Sequence, residues 1–344
     1  MILLLEPPRP AGFVSGGYRY QHEIGRRLAA RGEGELHVVA PAALDAAVAA
    51  ARSAGATVVV DGLFAALRRR PLPAGAIALL HVVPDTPWSE VPMPAIATSQ
   101  PTADAVATAA RAVEVVRPGL DDCFVPTSPR APDERQHVVC VGTVTPAKGQ
   151  RLVATALAAT PMAARCELAL LGDTATAPDY VRDVCRSASP ATVRLAGVRT
   201  PIEVAAELGA ADLFVSASRS ESFGMAVAEA AACGVPGLAF ATREIGTFLR
   251  DGANRWRRRG ATTPSGGRVG ACATGETGPS VRAGARGWLV PADASDQVFA
   301  ARLQALLAEP AALRAARAAA RRPPLGDWDE ATRRFVAACR RARG

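Results

Sequence analysis

The sequence predicts an α/β protein of two doubly wound domains facing a central cleft, and three observations carry that prediction. Short apolar runs alternate with Ala-rich stretches of helical period almost throughout, the pattern of βαβ units and parallel sheets. One polar, Pro-rich segment, Asp121 to Gln136 (containing FVPTSPRAPDERQ), interrupts the alternation. A length of 344 residues with 49% hydrophobic content suffices for two cores.

In chain order, strands are expected at Ile2–Leu5, Leu36–Ala40, Thr57–Val60, Ala76–His81, Ala95–Thr98 and Val113–Arg117, with helices such as Tyr18–Arg31 and Ala43–Ser53 between them. A second series follows at His137–Val141, Glu167–Leu171, Val193–Ala196, Leu213–Val215 and Gly237–Phe240. Its helices fall near Gly149–Ala158, Asp179–Ser187, Pro201–Leu208 and Gly224–Cys233. The expected division is a first domain over 1–128, a linker over 129–136, a second domain over 137–326 and a final helix over 327–344. Asn254 to Arg286, rich in Gly, Thr and Arg without periodicity, is expected to be an inserted surface loop.

Composition narrows the function classes. No apolar run reaches the roughly 20 residues that cross a bilayer. MILLLEPPRP lacks a basic leader and reads as a first strand, so a cytoplasmic protein is expected. Seven dispersed cysteines without a C-x-x-C pair argue against a disulfide frame and against zinc. The formal charge of +8 suits an anionic partner: a nucleotide sugar, a lipid phosphate or peripheral contact with the inner membrane face. Nucleic acid fits the charge, but no zinc-finger spacing or RNA-binding aromatic motif accompanies it, and none is expected as partner. Asp327-Trp328-Asp329 imitates a metal-binding D-x-D; with Glu330 three positions after Asp327 it reads instead as a helix cap, and no metal is expected.

The densest signal is LFVSASRSESFGMAVAEAAACGVPGLAF, Leu213 to Phe240. It reads as a buried strand, a polar loop and a helix whose free N–H groups suit a phosphate. Glu221 and Glu229 would repel phosphate and fit hydroxyls better. Along one continuous helix they would stand about 12 Å apart. Ser15-Gly16-Gly17-Tyr18 opens a helix after the first strand; paired glycines there let backbone approach an anion, or make an ordinary tight turn. His81 ends an apolar strand, a position open to both structural and functional readings. A G-x-G-x-x-G after the first strand is absent, which removes the main support for a dehydrogenase.

Glu221-Ser222-Phe223-Gly224-Met225 followed by Glu229-Ala230-Ala231-Ala232-Cys233-Gly234-Val235-Pro236 resembles the E-x7-E hallmark of the retaining GT-B glycosyltransferases of family 4, with Ser222 in place of a glycine. Cys140-Val141-Gly142-Thr143-Val144-Thr145-Pro146-Ala147-Lys148-Gly149 resembles that family's second motif, and Arg117-Pro118-Gly119-Leu120-Asp121 its P-G-V/L-D turn. The resemblance is dense from Val138 to Phe240, resumes at Gly287 and is thin in the first domain. It implies two Rossmann-like domains and a last helix that packs back on the first. It also implies metal-independent transfer of a sugar, with retained configuration, from a nucleoside-diphosphate sugar and without a further cofactor. The acceptor implied is a glycan, a lipid-linked carrier or a small molecule.

By the same resemblance Lys148 grips the diphosphate, where charge grows as the glycosidic bond breaks. Thr143 stands where members often have arginine, and Arg199 is a candidate replacement. Glu221 and the Phe223, Gly224 and Met225 backbone would meet the sugar and phosphate, and Glu229 the ribose. Gly16 and Gly17 would face the donor phosphates and the acceptor, and His81 would position or polarise the sugar. The turns at Gly172 and at Val198-Arg199 would surround the nucleobase. A GT-B homologue that binds a nucleotide sugar or a partner without turnover is the alternative, motivated by Thr143, the short first domain and the insertion.

Overall fold

A computed structural model describes residues 1–9, 15–83, 88–89, 92–127, 135–161, 163–188, 193–242, 244–249, 282–284, 286–319 and 325–343. The first domain runs β1 (Ile2–Glu6), α1 (Gly16–Ala30), β2 (Gly34–Val38), α2 (Leu44–Ser53), β3 (Thr57–Asp61), α3 (Leu63–Arg68), β4 (Ile77–Leu80), β5 (Pro94–Ala97), α4 (Gln100–Val106) and β6 (Ala112–Val115). Its sheet has the order β2-β1-β3-β4-β5-β6 and is parallel throughout. Burial follows from that order. Central β1 and β3 are buried at every position because helices cover both faces, whereas edge strand β2 (GELHV) is largely exposed.

The second domain runs β7 (Gln136–Val141), α5 (Gln150–Ala158), β8 (Cys166–Leu171), α6 (Pro178–Ser187), β9 (Val193–Gly197), α7 (Pro201–Ala210), β10 (Leu213–Ser216), α8 (Met225–Ala232), β11 (Gly237–Phe240) and α9 (Ile245–Leu249). It continues with β12 (Arg282–Gly284), β13 (Gly287–Val290), α10 (Asp296–Ala308) and α11 (Pro310–Ala319). The order is β12-β13-β11-β10-β7-β8-β9, with β12 alone antiparallel to its neighbour. Each of the eleven expected strands is present, its ends within two residues of expectation. Strands β12 and β13 were not expected; GWLV is too short to show a period, although all four residues are buried beside β11.

The chain then returns. Helix α12 (Trp328–Arg343) lays Trp328, Phe335 and Cys339 into the first domain's core beside Ile2, Leu4 and Ile24. Tyr20 meets Trp328 and Phe335 edge-on, with ring centroids 6.1 and 6.4 Å away. Leu120 N–H donates to the Gly326 carbonyl at 3.0 Å, so the outgoing and returning crossings run side by side. A Cβ on Gly119 would lie 2.3 Å from the Trp328 nitrogen, which explains the glycine in the P-G-L-D turn. Asp327 Oδ1 accepts from Glu330 N–H at 2.7 Å, the cap that the sequence predicts.

Most of the expected linker and nearly all of the expected insertion lie outside the described residues. Gln136, expected in the linker, opens β7. The end of the expected insertion is ordered rather than a loop: it supplies β12 and the buried Arg286, whose guanidinium donates to the Phe248 carbonyl at 3.1 Å. Among the described residues no helix is long and apolar enough to cross a membrane.

Candidate active site

A cleft of about 680 Å³ opens where the carboxyl ends of both sheets face one another, the usual ligand position in open α/β folds. Its first-domain wall is the start of α1 with the ends of β3 and β4; its second-domain wall is the loops after β7 and β10 with α8.

Local rules place each group. Ser15 caps α1, its hydroxyl accepting from Tyr18 N–H at 3.4 Å. Gly16 faces Met225 of α8, and a Cβ on Gly17 would press on the His81 ring at 3.2 Å. Gly16 therefore serves close approach between the domains and Gly17 close packing on His81 within the first, besides leaving an open helix start. On the other wall, Gly149 takes φ 68° and backs onto the residue that follows strand β10, where a Cβ would lie 2.5 Å from the Ala217 carbonyl. Ser218 ties the same loop down through the Ala147 carbonyl at 3.2 Å. Lys148, held between these contacts, donates from Nζ to Glu221 Oε1 at 2.5 Å.

Glu221 does not share a helix with Glu229. Residues 221–224 form a loop, and α8 begins at Met225 after Gly224, whose φ of 89° and close packing on Ile245 break the helix there. The 12 Å expected along one helix therefore does not apply. Among the described residues no side chain caps this helix start, which lines the cleft at Gly224, Met225, Ala226 and Val227, so its first N–H groups are unclaimed by a cap. Phe223 is buried against Phe248, with centroids 5.1 Å apart, and fixes the loop.

Glu229, one turn into α8, is only 3% exposed. It pairs with Arg19 of α1, which also pairs with Asp121 at the domain crossing. Burial pushes the Glu229 carboxyl above the ordinary range, and Arg19 opposes that shift. For Arg19 burial works against the charge, but Glu229 and Asp121 outweigh it and the net shift is upward. Burial likewise lowers His81, against the pull of Asp61, which favours the neutral ring.

Gly16, Gly17, His81, Thr143, Lys148, Glu221, Phe223, Gly224, Met225 and Glu229 thus meet on one cleft. Gly172, Val198 and Arg199 do not line it. Val198 and Arg199 are exposed beyond β9. A Cβ on Gly172 would lie 2.1 Å from the Gly142 carbonyl, so that glycine serves packing between neighbouring turns. Among the described residues no three His, Cys, Asp or Glu side chains converge as metal ligands. Sequence reading missed Arg19, Asp61 and Gln21. An arginine in a helix's first turn runs against the macrodipole, the one signal that could have singled out Arg19.

Residues 135–266 match the family model "Glycosyl transferases group 1". The D-inositol 3-phosphate glycosyltransferases of Mycobacterium tuberculosis (strain H37Rv) and Mycobacterium bovis (BCG Pasteur) are 32% identical over 243 residues. The match takes in 67% of this chain but 44% of theirs, so the chain spans less than half the length of these relatives. Among solved structures, a Rickettsia africae glycosyltransferase superposes with TM-score 0.66 at 13% identity over 99% of this chain and 98% of that one. Sucrose-phosphate synthase of Thermosynechococcus elongatus gives 0.65 at 17%, and Anabaena HepE in complex with UDP and glucose gives 0.60 at 17%, each with the same coverage. The chain has the GT-B fold, and its residues 135–266 carry the group 1 glycosyltransferase domain.

Proposed function

We propose that the protein transfers a sugar from a nucleoside-diphosphate sugar to an acceptor hydroxyl, with retention and without a metal ion. One observation carries the reading: a lysine, a helix start without a side-chain cap and two carboxylates line one interdomain cleft. Cationic and N–H groups suit a diphosphate, and the carboxylates suit the hydroxyls at its two ends. Lys148 and the α8 N–H groups take the phosphates, Glu221 the transferred sugar and Glu229 the ribose. His81, neutral, hydrogen-bonds the sugar.

In the reaction the bond from the anomeric carbon to the phosphate oxygen breaks and the acceptor oxygen bonds that carbon on the same face. The acceptor proton passes to the leaving phosphate. Lys148 stabilises the charge that grows there, which is where a preorganised cation lowers a barrier most. A panel of UDP- and GDP-sugars with simple acceptors tests the reading. Transfer or donor hydrolysis is expected, lost in Glu221→Ala and Lys148→Ala, insensitive to EDTA, with the product anomer matching the donor by NMR. Nucleotide binding without turnover across the panel would instead support a binding protein of the same fold.

A further inference from the structure

The first-domain wall carries a polar group that the donor reading leaves unused. Asp61 is 4% exposed at the end of β3 and lines the cleft beside His81. Its Oδ2 accepts from the buried Gln21 amide at 2.5 Å and its Oδ1 from Leu63 N–H at 2.9 Å. Gln21 Nε2 also lies 3.2 Å from His81 Nε2. The opposite amide orientation would set acceptor oxygens face to face at Asp61, so Gln21 donates to both. His81 Nε2 then accepts, and its proton sits on Nδ1. Each Asp61 oxygen keeps a lone pair for one more donor. Among the described residues the buried side-chain oxygen of Gln21 finds no hydrogen-bond partner, nor does Oε2 of neighbouring Glu6.

Charge on this wall is the deciding observation. The cations among the described lining residues are Arg19 and Lys148, and each is already matched, Arg19 by Glu229 and Asp121, Lys148 by Glu221. Arg9, over the Tyr18 ring at 5.6 Å, lies in the field of Glu6. Among the described residues Asp61 has no such partner: its hydrogen bonds come from an amide and a backbone N–H. A phosphate placed here would meet an unmatched carboxylate; a hydroxyl would meet an acceptor. Next to it the surface turns apolar. Leu63, Ala66 and Val82 line the cleft, and Leu63, Leu67 and Val82 are 41, 52 and 49% exposed. Leu63 and Leu67 stand one turn apart on α3 and extend the cleft wall outward as an apolar lip.

We propose that the acceptor is an uncharged hydroxyl compound carried on an apolar group. The polar end enters between Asp61 and His81, and the apolar end lies along Leu63, Leu67 and Val82. This rests on the glycosyltransferase reading and separates the chain from a relative named for a phosphorylated inositol. Asp61 acts as a positioning residue that orients the attacking hydroxyl.

The experiment uses the full chain and matched acceptors on glucose and inositol scaffolds: the free polyol, its octyl derivative and its monophosphate. The octyl compounds are expected to exceed the free polyols, and the free polyols the phosphates, each by about tenfold or more in kcat/KM. Asp61→Asn is expected to raise the octyl acceptor's KM at least tenfold with the nucleotide Kd unchanged, which also shows that the variant is folded. Leu63→Ser with Leu67→Ser is expected to erase the octyl preference. A hexadecyl glycoside in phosphatidylcholine vesicles, set against the soluble octyl compound, tells a lipid acceptor from a soluble one, and either preference upholds the class. Preference for a phosphate, transfer to none of the acceptors despite nucleotide binding, or an unmoved KM in Asp61→Asn overturns the inference alone. Absence of nucleotide binding overturns the donor reading, and this inference with it.

Discussion

The two walls of the cleft are built by different means. The second-domain wall is made of short contiguous loops in which glycine geometry fixes one charged residue: Gly149 holds Lys148, and Gly224 ends the Glu221 loop and starts α8. The first-domain wall is assembled from single side chains on separate elements, Gln21 on α1, Asp61 at the end of β3 and His81 after β4. On the proposed reading, the first construction would preserve a phosphate-binding geometry whatever surrounds it. The second can change its ligand by exchanging one residue, as suits the side that receives a variable acceptor.

The largest expected effect tests the second-domain wall. Lys148→Met removes the cation from the leaving phosphate and leaves Glu221 without its partner. By analogy with loss of one preorganised electrostatic group, transfer should fall about 10²–10³-fold. If the two walls work as described, kcat carries most of the loss and acceptor KM moves little. A loss confined to acceptor KM would erase the distinction between them.

Glu229→Gln comes next and is read by nucleotide titration. A hydrogen bond to a charged group is worth about 1.5–3 kcal/mol, so affinity should drop roughly 10–100-fold. Arg19 loses the charge of its α8 partner in the same variant, so acceptor kinetics should be followed as well. Equal damage on both sides would mean that the interdomain ion pair, rather than ribose contact, is what Glu229 provides.

These differences in construction also explain what the sequence made legible. Lys148, Glu221, Gly224 and Glu229 lie in two contiguous phrases, and their shared cleft follows once β7 and β10 are neighbours in the sheet. Strand order was readable as a class because βαβ repeats force parallel neighbours. The Asp61–Gln21–His81 group was not readable, since its members are 40 and 20 residues apart along the chain and no spacing rule links them. Arg19 was hidden for the same reason: Glu229 is 210 residues away, and the two meet only when the domains do. Gly172, Val198 and Arg199 stand outside the cleft that the other expected site residues share. A glycine after a strand looks like a ligand turn, yet at Gly172 the reason is the Gly142 carbonyl.

Gly149→Ala probes the loop without touching a charge. A side chain at φ 68° with 2.5 Å to the Ala217 carbonyl costs about 1–3 kcal/mol. Thermal unfolding should shift down by several degrees, and the remaining folded protein should bind nucleotide less well because the Lys148 loop is displaced. Unchanged affinity in the folded fraction would show that Lys148 reaches its position without this turn.

The subtlest effect is one of pH, and it joins the walls. If Glu229 receives the donor as a carboxylate, as proposed, then affinity should fall as pH drops through a value above the ordinary carboxylate range, because burial has raised its pKa. The charges facing Glu229 are Arg19 from α1, which lowers that value, and Asp121 from the domain crossing, which raises it. Cys123 and Cys233 also lie close, but both thiols are shifted upward and stay neutral through this range, Cys233 at about 12. Removing the cation in Arg19→Met should therefore move the loss of affinity to higher pH, whereas Asp121→Asn should move it to lower pH. Nucleotide titrations across pH with Arg19→Lys as the charge-conserving control read both shifts. Identical profiles in all three variants would mean that Glu229 is not the group whose ionisation the donor needs, and that the interdomain pair holds the walls together without tuning either one.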